Sequence, residues 1–258
     1  NDSIRRLTLA IYSPLKYVMP DKVQKYEEQY DKKVKDGTVY FKQTDREKSL
    51  VNLMRVNILK RLESSIYSFN ITLERISKKI KAEIDRINNY SDQDFYELNT
   101  DEDGAILFEN DEQMEAMLSG SKTKVFLHDI DLVRWKQDLG SDLERLLDLV
   151  EQSQKITVER DAKLADLKQV IATKIKMPIN TGNKKVIIFS AFADTAQYLY
   201  QDIAKWAQQE FNLHSALVTG GGPNKTTSES IPNDLSSILI NFSPKKKKKE
   251  KIYPEIKD

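Results

Sequence analysis

Few residue types in this 258-residue chain could do chemistry, and most of them exclude more than they suggest. There is no cysteine, so disulfides and thiolate metal sites are ruled out. His128 and His214 stand far apart, each without a second ligand nearby in sequence, and no metal site is expected; His128 reads as a cap or surface residue. Ser64 and Ser65 have no histidine placed to activate them and read as small residues at a tight helix contact. The run Gly220-Gly221-Gly222-Pro223-Asn224-Lys225 has the composition of a phosphate cradle, but no Ser/Thr-started helix follows in register. No catalytic residue is expected.

What remains is charge. Arg55, Lys60 and Arg61 fall in one helical stretch and residues 245–249 are five consecutive lysines. Either group could bind phosphates, each contact adding a salt-dependent, sequence-independent increment. The plainer readings are that the helical cations pair with neighbours such as Glu63, and that the lysine run is a solvated tail. Forty-one Lys and Arg against forty Asp and Glu leave a net charge of +1, so attraction to nucleic acid must come from local patches. An acidic stretch over residues 92–115 reads as a solvated loop with one short helix near 111–118.

These residues need elements to position them. A chain with 31% charged residues, 8 Gly and 7 Pro favours long helices over a sandwich or barrel. Residues 1–43 read as a short helical start and a polar connection, whose apolar residues Ile4, Leu7, Leu9, Ile11, Leu15 and Val18 need a partner surface. Thr44 and Glu47 have capping-box spacing. From there to about residue 88, Leu59, Leu62, Ile66, Phe69, Leu73, Ile76, Ile80, Ile84 and Ile87 form one stripe. A single helix of that span would be roughly 65 Å long at about 1.5 Å per residue. Leu132, Trp135, Leu139, Leu143, Leu146 and Val150 make a second stripe, and Leu164, Leu167, Val170, Ile171 and Ile175 a third, after a cap at Asp161. Residues 44–178 are therefore expected to form an antiparallel helical hairpin or bundle.

The pattern changes at Gly182. Residues 185–190 (KVIIFS) and 215–219 (SALVT) read as strands buried on both faces, joined by a helix over about 194–209 that carries Leu199, Ile203 and Trp206. Strand, helix, strand predicts one right-handed crossover of a parallel sheet, incomplete as it stands, with an exposed edge able to support dimerisation. A last helix is expected over about 233–241. No apolar run reaches the roughly 20 residues of a membrane span. The absence of cysteine accords with a reducing cytoplasm. The first residue is Asn1 rather than Met, and both ends are expected to be cut from a longer protein.

Two segments carry a resemblance. Residues 52–65 (NLMRVNILKRLESS), continued by 67–75 (YSFNITLER), are similar to a helix of bacterial SWI/SNF-type helicases, DNA-dependent ATPases. Residues 185–199 (KVIIFSAFADTAQYL) resemble the first strand and helix of their second RecA-like lobe. Residues 11–17 resemble the exit from the first lobe, and 217–221 the second strand of the second. The resemblance implies a predominantly helical α/β chain: the end of the first lobe in 1–43, a helical insertion in 44–178 and a partial second lobe in 179–258. It implies a parent motor that uses ATP and Mg and acts on duplex DNA, while this chain, lacking the phosphate loop, the magnesium-holding acids and the arginine fingers, is inactive alone. It also implies that Ser190, Ala191, Phe192, Thr219 and Gly220 face DNA, although position 191 is often a larger polar residue in the family. The competing expectation is a free-standing helical protein-interaction module.

Overall fold

The computed structural model describes residues 2–33, 40–99, 122–220 and 222–243, and is predominantly helical. It divides into two compact units, Asn1–Ile156 and Thr157–Asp258. That boundary differs from the divisions at 43/44 and 178/179 drawn from the sequence pattern.

In the first unit, α1 (Asp2–Arg5) leads through two short 3-10 turns to α2 (Val23–Tyr30). The pairs β1 (Lys32–Lys33) with β2 (Tyr40–Phe41), and β3 (Phe95–Asn99) with β4 (Lys122–Phe126), are antiparallel. Three long helices follow one another around these: α3 (Gln43–Ser64), α4 (Ile66–Asn88) and α5 (Leu132–Gln154). Part of the acidic stretch is thus a strand rather than a loop, because Tyr96 and Leu98 supply a buried face. The helix expected near 111–118 lies outside the described residues.

The single long helix expected over 44–88 is two. Ser65 leaves the helical region (φ −158°, ψ 150°), and its Oγ accepts the Ser68 N–H at 3.0 Å, capping α4. A serine that can satisfy an orphan N–H makes such a restart inexpensive without Gly or Pro. Past the break the stripe holds: Phe69, Leu73, Ile76, Ile80 and Ile87 are buried. Helix α5 packs along α4 antiparallel, since Lys136 bonds Asn88 at one end while Ser153 bonds Asn70 and Gln154 bonds Glu74 at the other. Before the break, α3 buries Leu50, Val51, Met54 and Ile58, and with them Glu47, Asn57 and Arg61. Leu59 and Leu62 are only half-buried, because the helix is turned to bring those polar residues inside.

The partner surface for the N-terminal apolar residues is within the chain. Ile4, Leu7, Leu9, Ala10, Ile11, Tyr12, Leu15, Tyr17 and Val18 belong to the core of the first unit. Irregular backbone in a core must find bonds from side chains, and here α3, α5 and β3 send them. Asp142 of α5 accepts from Thr8 N (2.6 Å) and Ala10 N (2.9 Å), on either side of Leu9 in the left-handed region (φ 53°). Trp135 Nε1 donates to the Ala10 carbonyl (3.1 Å), and Tyr96 Oη to that of Ile11 (2.6 Å). Glu47 accepts the Leu15 N–H at 3.1 Å. The capping box is therefore not formed: Lys42 is the N-cap of α3, without a side-chain bond, and the Glu47 carboxylate is used in the core.

In the second unit, α6 (Ala162–Lys176) and α7 (Ala193–Phe211) share a core of Leu164, Ile171, Ile175, Tyr198 and Ile203, so the third stripe serves this unit and not the helical hairpin. Asp161 caps α6 as the pattern predicts, accepting from Leu164 N at 3.1 Å, and it also accepts from Tyr198 Oη at 2.9 Å. The parallel sheet is not formed among the described residues. Residues 185–190 carry no strand pairing, β5 (Ala216–Leu217) pairs antiparallel with β6 (Lys225–Thr226), and α8 (Leu235–Phe242) follows. Two strands apolar on both faces have no stable arrangement without further strands beside them.

Burial holds the Glu47 carboxyl well above the ordinary 4.5 of a glutamate, against the pull of the Leu15 N–H. Between those two values the folded chain holds more protons than the unfolded one, so this group's contribution is full below 4.5 and is lost as pH rises through the raised value. The urea midpoint of wild type is expected to gain on Glu47→Gln as pH falls toward about 4.5, the uncharged variant lacking that part of the slope. Parallel midpoint–pH curves would contradict this placement of Glu47.

Candidate nucleic-acid interface

The candidate DNA-facing residues fall three in the first unit and five in the second. On α3, the three basic residues have different roles. The half-buried Arg55 donates from Nε (3.1 Å) and a terminal nitrogen (2.8 Å) to the Leu7 carbonyl, and from the other terminal nitrogen to Asn52 (2.9 Å). Arg61 is fully buried, 0% exposed, and donates to Ser68 Oγ at 3.1 Å across the α3–α4 break. A guanidinium so placed cannot reach a phosphate without unfolding the helix pair. Lys60 alone of the three is exposed. Arg55 and Arg61 are thus structural in this fold, with a backbone carbonyl and an amide among the partners of the first and a hydroxyl among those of the second.

In the second unit, Ser190, Ala191 and Phe192 lead into α7. Ser190 Oγ accepts from Phe192 N (3.2 Å) and lies 3.1 Å from the Phe192 carbonyl, closing a small turn just before the helix. Phe192 is buried and is the N-cap residue, with no side-chain bond to the helix. Ala191 is exposed. The loop therefore lies before the positive end of a 19-residue helix, whose first turn carries the carboxylate of Asp194. Thr219 is half-buried and Gly220 exposed, following β5.

The glycine run does not make a phosphate cradle. It connects β5 to an antiparallel β6 instead of leading a strand into a helix, and the next helix begins only at Leu235. A Cβ at Gly222 would meet Thr219 Oγ1 at 3.1 Å, so that glycine answers to a close turn. His214 Nδ1 lies 3.3 Å from Thr227 Oγ1, and His128 Nδ1 lies 2.8 Å from the Asp92 carbonyl with its ring stacked on Phe126. The lysines at 245–249 lie outside the described residues. No helix among the described residues is long and apolar enough to cross a membrane.

Pattern reading missed Glu47 and Asp142 as anchors. Asp142 sits within the apolar face of α5, three residues after Leu139 and four before Leu146, and a carboxylate there is the signal that would have found it. No family model, no curated protein and no solved structure matches the chain.

The difference between the two neighbouring cations is measurable. Arg61→Ala leaves a buried hydroxyl and a void at the helix break, and is expected to lower unfolding free energy by about 3 kcal/mol. Lys60→Ala is expected to change it by less than about 0.5 kcal/mol. Equal losses in urea titrations would refute the division into a buried strut and a surface charge.

Proposed function

We propose that this chain is part of an ATP-dependent DNA translocase of the SWI/SNF type, with residues 1–43 ending the first motor lobe, 44–178 forming a helical insertion and 179–258 belonging to the second lobe. The observation that carries the reading is the apolar run at residues 185–190. Ile187, Ile188 and Phe189 are 58%, 41% and 89% exposed, and the run has no strand partner among the described residues. Three consecutive large apolar side chains in water are costly, at roughly 25 cal/mol per Å² of apolar surface. Such a run suits a strand of a parallel sheet whose neighbours are supplied by more of the same protein. The resemblance at 52–65, 67–75 and 185–199 supports the same assignment, with Ala191 a departure from the family's larger polar residue.

In this reading ATP and Mg are held by residues outside the chain, between two lobes that close and reopen. The contribution of this chain is positional. Ser190, Ala191, Thr219 and Gly220 offer small side chains and backbone to a DNA strand while the buried Phe192 anchors the loop, and the helical unit keeps the exit from the first lobe rigid. Phosphate contacts of that kind set register without reading sequence.

The parent protein is expected to hydrolyse ATP with stimulation by duplex DNA, while the 258-residue chain alone does not. Phe189→Asp should leave the melting of the isolated chain unchanged, because the residue is exposed there. In the parent it should abolish stimulated hydrolysis, because a carboxylate would be buried in the completed sheet. A parent gene without a phosphate loop, or a parent in which F189D hydrolyses ATP normally, would overturn the proposal.

A further inference from the structure

The first unit gathers arginines around its N-terminal segment. Arg5 and Arg6 are exposed at the end of α1 and just after it. From α3, Arg55 reaches the Leu7 carbonyl at 2.8 and 3.1 Å; from α5, Arg145 reaches the Arg6 carbonyl at 3.5 Å. Those carbonyls belong to consecutive residues, so the two guanidinium groups lie within roughly 12 Å of each other by backbone dimensions. Among the described residues, none of the four has a carboxylate within ion-pair distance. The buried acid Asp142 accepts from the Thr8 and Ala10 N–H groups, and Asp2 on α1 makes no ion pair with them.

The Arg55 and Arg145 guanidinium groups are therefore held by neutral partners, with no carboxylate in ion-pair contact among the described residues. A guanidinium has five N–H donors; Arg55 uses three, and Arg145 one. Several like charges held together repel one another, and a multivalent anion relieves that repulsion. Fixed guanidiniums with spare donors match phosphate oxygens better than lysines do, since the fork is planar and already oriented.

We infer that this arginine corner, Arg5, Arg6, Arg55 and Arg145, is a second contact site for the phosphate backbone of duplex DNA. It rests on the reading of the parent as a DNA motor, and it adds a grip on the helical unit distinct from the loops of the second unit. The same four cations would attract any polyanion; a duplex, with one charge per about 1.7 Å of axis, offers them closely spaced phosphates.

The test uses the full 258-residue chain with a fluorescent 20-base-pair duplex, read by anisotropy at about 50 and 200 mM salt. Arg5→Glu/Arg6→Glu changes two exposed side chains and should keep the circular dichroism melt of wild type. It is expected to weaken binding at least about tenfold at the lower salt and to reduce the salt slope by about 2. Lys78→Glu/Lys81→Glu, an equal charge change on exposed positions of α4, is expected to weaken it far less. If both variants lose affinity equally, the attraction is net charge and the corner is not the site. If wild type and R5E/R6E bind alike, the inference fails while the motor reading stands on its ATPase test. If wild type binds anionic vesicles but no duplex, the partner is a membrane surface and the inference is wrong.

Discussion

The first unit depends on bonding a buried, irregular stretch of backbone. Residues 7–15 run through the core of the unit, where water cannot satisfy their amides and carbonyls. Asp142 takes two N–H groups, Glu47 one, and Trp135, Tyr96 and Arg55 give protons to three carbonyls. Each anchor comes from an element that also contributes apolar surface to the same core, so packing and bonding enforce one another. Burial raises both carboxyls while their backbone donors oppose the shift, which marks these groups as costly to place and hard to replace. A chain segment held this way moves with the helices that hold it.

The two units differ in how completely they consume their apolar surface. In the first, the stripes of α4 and α5 meet each other and the N-terminal segment, leaving isolated exposures such as Val133. In the second, α6 and α7 cover a small core, while Val170, Met177, Ile179, Ile187 and Phe189 are all more than half exposed. Scattered apolar residues on a surface are ordinary, but several close in sequence beside an unpaired run mark a face that expects cover. Charge is distributed just as unevenly. The arginines that the sequence places on a helical face are partly absorbed as struts, Arg61 wholly and Arg55 in part, whereas Arg5 and Arg6 lie at the surface with no ion pair. Proximity in sequence was thus a poor guide to which cations remain available.

Much of the helical plan was legible in the residues. The stripes of α4 and α5, the cap at Asp161, the extent of α7 and the short α8 follow from apolar periodicity and capping chemistry, which are local properties. Of the candidate interface, the turn before α7 was legible because Ser190 and the start of an amphipathic helix are neighbours in the chain. The break at Ser65, the burial of Glu47 and Arg61, and the grouping of α6 with α7 were not.

The sequence by itself determined where helices form, which face of α4 and α5 is apolar, and that no thiolate chemistry exists. Tertiary structure decided where the polar residues go. Glu47 has capping-box spacing and would cap its helix if nothing else needed it, but it accepts from the Leu15 amide, 32 residues away. Asp142 lies 132 residues from Ala10, and no local pattern encodes that pairing. Hydrophobic periodicity is written within a few turns of helix, whereas the partner of a buried amide is chosen by whichever segment the fold brings alongside.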